Sequence, residues 1–225
     1  VLCERLASGE LDVALVSSFE FLRNPIYSVV DDVAIASEGA VYSVFVAHHR
    51  GQNLREIEID SASRTGVALL RCLLRGRSQA VQEKPLPDDN LSLLDGARAR
   101  LLIGDQAIHF RRKHGDRYSY WDLGEAWHQL TGLPFVYALW LIRPEVPEAK
   151  VLADSLRALR DRNEANLGEI VKAESRFSAE FCAYYYRDCL RFRFGEKEKK
   201  GLGVFEDLCI KYGLLGTAPA PLRIV

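Results

Sequence analysis

Phe135-Val136-Tyr137-Ala138-Leu139-Trp140-Leu141 is an unbroken apolar run, directly after the helix stop Thr131-Gly132-Leu133-Pro134. Without polar alternation it reads as a strand covered on both faces, the pattern of a sheet with helices above and below. Upstream, Tyr120-Trp121-Asp122-Leu123-Gly124 starts a helix with Asp122 as a candidate N-cap. Ala99 to Asp105 is a buried strand ending in Gly104-Asp105, with a helix expected over Gln106 to His114. Pro85 to Asn90 is a polar loop, and Val67 to Leu74 is a helical run closed by Gly76. Three earlier strands are expected at Leu11 to Val16, Val41 to Ala47 and Ile57 to Asp60. Leu2, Leu6 and Gly9 read as the end of a helix already under way. Beyond Val146 the chain reads as helix only, over about 147–168, 178–191 and 197–212, with Gly213 as a C-cap and Glu196–Lys200 as a solvated face. Alternating helices and strands predict an α/β fold with mostly parallel sheets and a helical C-terminal region.

Composition narrows the partners. The chain has 225 residues, 48% of them hydrophobic, which allows one large domain or two small lobes. Thirty basic against 31 acidic side chains give a net charge of −1 and no electrostatic reason to expect nucleic acid or an anionic membrane. An anionic small molecule needs only a few local donors and stays open. Cys3, Cys72, Cys182, Cys189 and Cys209 lack C-x-x-C spacing and are expected to be reduced packing residues. No apolar run reaches the ~18 residues of a membrane span. The first residues carry neither a basic leader nor a cleavage-site pattern, and the chain has no Met; sequence upstream of Val1 is expected.

Ligands of parallel α/β sheets bind at the carboxyl ends of strands. Those ends carry Ser17-Ser18, Gly104-Asp105, and Ser63-Arg64-Thr65 after Asp60. The stretch Ser61 to Gly66 puts small hydroxyl residues and a glycine before a helix, where backbone N–H groups and the helix dipole suit a carboxylate or phosphate. Ser61 or Ser63 acting only as an N-cap explains the same spacing. Asp105 reads first as a helix cap and second as an acid or base. His48-His49 lack a third ligand at metal spacing, and His109 and His114 are placed on the surface. Trp121, Trp127 and Trp140 are assigned to core packing. No G-x-S-x-G elbow, H-E-x-x-H, P-loop or dinucleotide fingerprint occurs. The residues alone leave an enzyme and a binding protein equally open.

Taken in order, several segments resemble the chorismate dehydratase family of menaquinone biosynthesis. They are Ser8 to Ala14, Gly39 to Val44, Ser63 to Val67, Leu102 to Asp105, Trp121 to Gly124 through Trp127 to Val136, Arg191 to Gly195, and Gly201-Leu202. Two features depart from that family: its opening strand with a Leu-Asn-Thr segment is absent, and Gly66 stands where a second serine is usual.

The resemblance implies a two-lobed periplasmic-binding-protein-like (type II) fold. Residues 1–46 and 138–225 would build one lobe and 47–137 the other, with crossing strands near Val44–His48 and Val136–Leu141 and the substrate in the cleft. It implies elimination of water from chorismate to 3-enolpyruvylbenzoate by the futalosine route, in the cytoplasm; that reaction needs no cofactor and no metal in principle, and the sequence offers a site for neither. Ser43 would be catalytic. Ser63, Thr65 and nearby backbone N–H groups would hold a carboxylate, with Arg64, Gly66, Ser17, Ser18, Gly104 and Asp105 also lining the substrate site. The alternatives are the 1,4-dihydroxy-6-naphthoate synthase of the same pathway and a transporter's solute-binding protein. The stretch Phe135 to Ala138 after Leu133-Pro134 favours the dehydratase.

Overall fold

The computed structural model describes residues 2–52, 54–60, 63–89, 91–94, 96, 98–219 and 221–225; Ser61 and Asn90, named above, lie outside them. The chain forms two compact units, 1–38 with 133–225 and 39–132. Its first leg holds α1 (Leu2–Ala7), β1 (Val13–Ser17), α2 (Ser18–Arg23) and β2 (Ser28–Ser37). The middle leg holds β3 (Val44–His48), β4 (Glu56–Ile59), α3 (Arg64–Gly76), β5 (Gln82–Pro85), β6 (Ala99–Ile103), α4 (Gly104–His114), β7 (Ser119–Asp122) and α5 (Leu123–Thr131). The last leg holds β8 (Phe135–Ile142), α6 (Ala149–Ala165), α7 (Leu167–Ala173), α8 (Ala179–Tyr184), a π-helical turn at Tyr185–Cys189, and α9 (Glu196–Lys211).

In the discontinuous unit the sheet order is β1-β8-β2, with β8 antiparallel to both neighbours. That central place accounts for the apolar run: Phe135, Val136, Leu139, Leu141 and Ile142 are buried. The sequence reading missed β2 because Asp31-Asp32 interrupts its middle. There the pairing register slips between Val29 and Ala34, and Asp32 takes a positive φ of 56°. The bulge turns Asp32 toward Arg160, Arg193 and their partners Asp161 and Glu164.

The C-terminal leg is helical, as expected, with Gly213 in the left-handed region just beyond α9. Glu196–Lys200 is not uniformly solvated. Glu198 is buried and accepts the Gly195 N–H at 3.0 Å, and Lys199 bridges Asp31 and Glu196. All five cysteines are free thiols, four of them buried.

The 39–132 unit carries a sheet of order β5-β4-β6-β3-β7. Strands β5, β4 and β6 run parallel, while β3 is antiparallel to both β6 and β7. Strand directions are thus mixed across the molecule, and the expected mostly parallel sheets do not form. The physical reason is that β3 and β8 each open a leg that runs back against its neighbours. Strands β3 and β8 each pair within their own unit. The division at 38/39 and 132/133 lies eight and five residues before the expected boundaries. Of Tyr120 to Gly124, expected to start a helix, the first three residues lie in β7; Asp122 then caps α5, as expected, by accepting the Glu125 N–H at 3.1 Å.

Phe45, Ala47, Leu102, Ala107, Phe110 and Tyr118 make one core of this unit. Within its sheet, Arg100 on β6 and Glu58 on β4 are buried and bonded at 2.7 Å; Arg100 also donates to the Ser92 carbonyl. A buried pair of this kind survives because its further polar atoms are satisfied.

Candidate active site

One corner of the 39–132 unit gathers most of the expected site residues. Val44 at the start of β3 pairs with Ile103 at the end of β6. The next residue, Gly104, has a φ of +58° and donates its N–H to the Ser43 carbonyl at 2.8 Å. Its positive φ is the left-handed geometry glycine adopts without strain, and α4 begins there. A Cβ at Gly66 would lie 3.2 Å from Ile103 Cγ2 and 2.7 Å from Ser63 Oγ. Ser43, Gly104, Gly66 and Ser63 therefore follow one another around the same corner.

Ser63 stands at the N-cap position of the 13-residue α3. Its backbone is held: the N–H donates to Asp60 at 3.0 Å and the carbonyl accepts from Val67 at 2.9 Å. Its hydroxyl makes no capping bond, and it is a buried oxygen with no hydrogen-bond partner among the described residues. The residue is 7% exposed. A buried polar group left unmatched costs about 1–3 kcal/mol, so this hydroxyl favours a ligand that matches it. First-turn N–H groups of a helix point out of its N-terminus, where the dipole also favours an anion. Thr65 and Gly66 are buried in that turn and Arg64 is half-buried.

Ser43 is buried and lies directly behind an unusual turn. Its N–H donates to the Val41 carbonyl at 2.8 Å around Tyr42, whose φ is +66°. A bond from residue i+2 back to residue i around a positive φ marks the rare, strained γ-turn. Strain of this sort amounts to about 1–3 kcal/mol and concentrates at functional sites. Asp122 receives the N–H groups of the turn: Tyr42 at 2.7 Å, and Val41 at 3.1 Å to each carboxylate oxygen. Burial pushes the Asp122 carboxyl above its usual range, against the N–H donors of Glu125, Val41, Tyr42 and Gly124. Arg111 lies over the Tyr42 ring at 4.2 Å and over Tyr120 at 5.1 Å.

The other expected residues sit differently. Asp105 is exposed in the first turn of α4, where its charge suits the helix dipole. Ser17 and Ser18 belong to the discontinuous unit. Ser17 caps α2 by accepting the Glu20 N–H, and buried Ser18 donates to the Val136 carbonyl at 2.6 Å. The Ser18 proton is thereby committed to the fold. His109 is exposed, but His114 is half-buried; it contacts the Leu91 carbonyl at 2.9 Å and packs on Phe110 and Tyr118. Trp127 is core, whereas Trp121 lies under Arg77 at 4.6 Å. Among the described residues no three His, Cys, Asp or Glu side chains form a metal-holding group. Reading the sequence missed Tyr42 and Arg111, and gave Asp122 only its capping role.

The family model described as menaquinone biosynthesis matches residues 1–211. The chain belongs to that family. The chorismate dehydratase of Thermus thermophilus is 31% identical over 220 residues, covering 90% of this chain and 81% of that protein. This member of the menaquinone biosynthesis family is accordingly an enzyme of the dehydratase type. Solved structures carry the fold further. A protein from Archaeoglobus fulgidus superposes with a TM-score of 0.69 at 18% identity, over 95% of this chain and 84% of that one. A Candida albicans gene product with the generic periplasmic-binding-protein fold gives 0.62 at 14% identity, over 100% and 82%. The family member therefore has the periplasmic-binding-protein-like α/β fold.

Proposed function

We propose that the chain dehydrates chorismate, and that the corner at Ser43 and Ser63 belongs to its active site. The observation that carries this reading is the unmatched, buried Ser63 hydroxyl at the N-terminus of α3. A carboxylate of the dicarboxylate substrate supplies the acceptor that hydroxyl lacks, and the first-turn N–H groups of α3 support the same charge. The family match and the dehydratase relative support chorismate as that substrate.

The reaction breaks two bonds of the ring. The C3 proton passes to a base, the C3–H electron pair becomes the new ring double bond, and the C4–O bond breaks. The departing oxygen takes up a proton and leaves as water, giving 3-enolpyruvylbenzoate. Aromatisation drives the step, so the protein's task is orientation and stabilisation of developing charge. In this reading Ser43 donates to the departing C4 oxygen, and a carboxylate of the substrate itself serves as base. The product feeds the futalosine route to menaquinone, in the cytoplasm.

Incubating the full natural chain with chorismate should consume it and release an aromatic product of the mass expected after loss of one water. Ser43→Ala should lower kcat by about 10²–10³, the usual effect of removing one preorganised donor. Ser63→Ala should act mainly on KM. Chorismate recovered intact after incubation with folded protein would sink the assignment, and a fully active Ser43→Ala would remove Ser43 from the chemistry.

A further inference from the structure

We propose that Asp122 is the positioning residue for Ser43: its carboxylate grips the backbone N–H groups of Val41 and Tyr42 and so holds the turn that sets Ser43's direction. The inference rests on the reading of Ser43 as a substrate contact and names what keeps it in place.

Three observations carry it. First, the number of bonds exceeds what a helix cap needs. Capping α5 takes one oxygen, Oδ1, with the Glu125 N–H at 3.1 Å. Ser, Thr or Asn serve that purpose as well as Asp. The second oxygen, Oδ2, accepts from Tyr42 at 2.7 Å, and Val41 donates to both oxygens at 3.1 Å, donors about eighty residues away along the chain. Second, the held turn is one the chain resists. Tyr42 has a φ of +66°, and a bulky side chain adopts that region only when its surroundings impose it. Third, the grip is anchored on the strand that Ser43 leads into, because Asp122 on β7 pairs with Phe45 on β3. Ser43 is then fixed from both sides, by the clamped turn before it and by the Gly104 N–H on its own carbonyl at 2.8 Å. Arg111, stacked on the Tyr42 ring, holds the turn's side chain as well.

The test is a double-mutant cycle on the full chain. Asp122→Asn keeps the shape and the cap but turns an amide NH₂ or a single acceptor toward two N–H donors; Asp122→Ser keeps the cap but removes the second oxygen, the one that accepts the Tyr42 N–H. Each should lower kcat for chorismate tenfold or more while KM stays within about twofold. Combined with Ser43→Ala, each should lose nothing further, since groups acting as one unit are non-additive. Losses that multiply would show a merely structural role and overturn the proposal, as would full activity in both single variants. An inactive Ser43→Ala beside active Asp122 variants removes this inference alone, whereas an active Ser43→Ala removes the reading beneath it. Hydrogen exchange in the unmodified protein decides the matter if neither variant folds. The Val41 and Tyr42 amides should exchange at least a hundredfold more slowly than free amides, and fast exchange there would overturn the clamp.

Discussion

At position 66 a missing side chain governs what Ser63 can do. A Cβ there would stand 2.7 Å from Ser63 Oγ, too close for either atom to stay put. The hydroxyl would have to rotate, and its match to a ligand would be lost. Gly66→Ala should raise KM for chorismate about fivefold to tenfold, the equivalent of one hydrogen bond, with kcat nearly unchanged. Its unfolding midpoint should hold or rise, because alanine is the better helix former. An unchanged KM would show that the Ser63 hydroxyl meets no ligand. The sequence made this corner legible because its signals are local: small residues between a strand and a helix need no tertiary knowledge to be noticed. Asp122 was half legible for the same reason. Its cap lies three residues away, but its grip on Tyr42 spans 80 residues and left no mark in spacing. Ser17 and Ser18 differ again: their hydroxyls at a strand end looked available, and the fold engages each in one hydrogen bond that spacing did not show.

Between elements, backbone contacts set the tightest constraints. Helix α9 passes so close to the loop before β8 that a Cβ at Gly201 would overlap the Pro134 carbonyl oxygen. Backbone does not swing aside as a side chain can, so Gly201→Ala should destabilise the protein by about 1–3 kcal/mol in urea unfolding. Gly203, on the same helix, faces open space and supplies the control. Gly203→Ala should be neutral or stabilising by up to ~1 kcal/mol, and equal effects at both sites would refute the contact. Helix α3 is tied to β5 by Arg71, which meets Glu83 with two bonds of 2.7 and 2.6 Å. That hydrogen bonding holds the Glu83 carboxyl below its usual range, with burial opposing it. A lowered folded value means that the unfolded chain binds the proton more readily. The pair's contribution is then present above the ordinary glutamate range and lost as pH falls through the lowered value. Both side chains are partly exposed, so the contribution is on the order of 1 kcal/mol at most. Arg71→Gln should narrow its stability gap from the parent protein as pH drops from 6 toward 3, and a pH-independent gap would exclude the pair. Strand β2 escaped the sequence reading at this same scale, because a bulge centred on two aspartates resembles a loop until its partner strand is known.

Across the whole molecule, the alternation of helix and strand was enough to place the chain in the α/β class. It was not enough to give strand directions, which depend on which strands end up as neighbours. Strand β8 is the clearest case. Its apolar run announced a buried strand, yet nothing in the run said that β1 and β2 would lie on either side of it, both antiparallel. That arrangement has a consequence for the protein as it is made. While the ribosome is still at work, β1 and β2 both emerge before β8, and neither has the other as a partner. The strand both require follows only after about 100 further residues, the whole span that builds the 39–132 unit. At ~5–20 residues per second, the edges that β8 will cover stay unsatisfied for roughly 5–20 s, the kind of surface on which other chains pair and aggregate. The 39–132 unit meets no such delay, since every strand of its sheet lies within one continuous stretch. Translation therefore favours completing that unit first, and the newborn chain is most exposed to chaperones and to aggregation just before Phe135 leaves the exit tunnel.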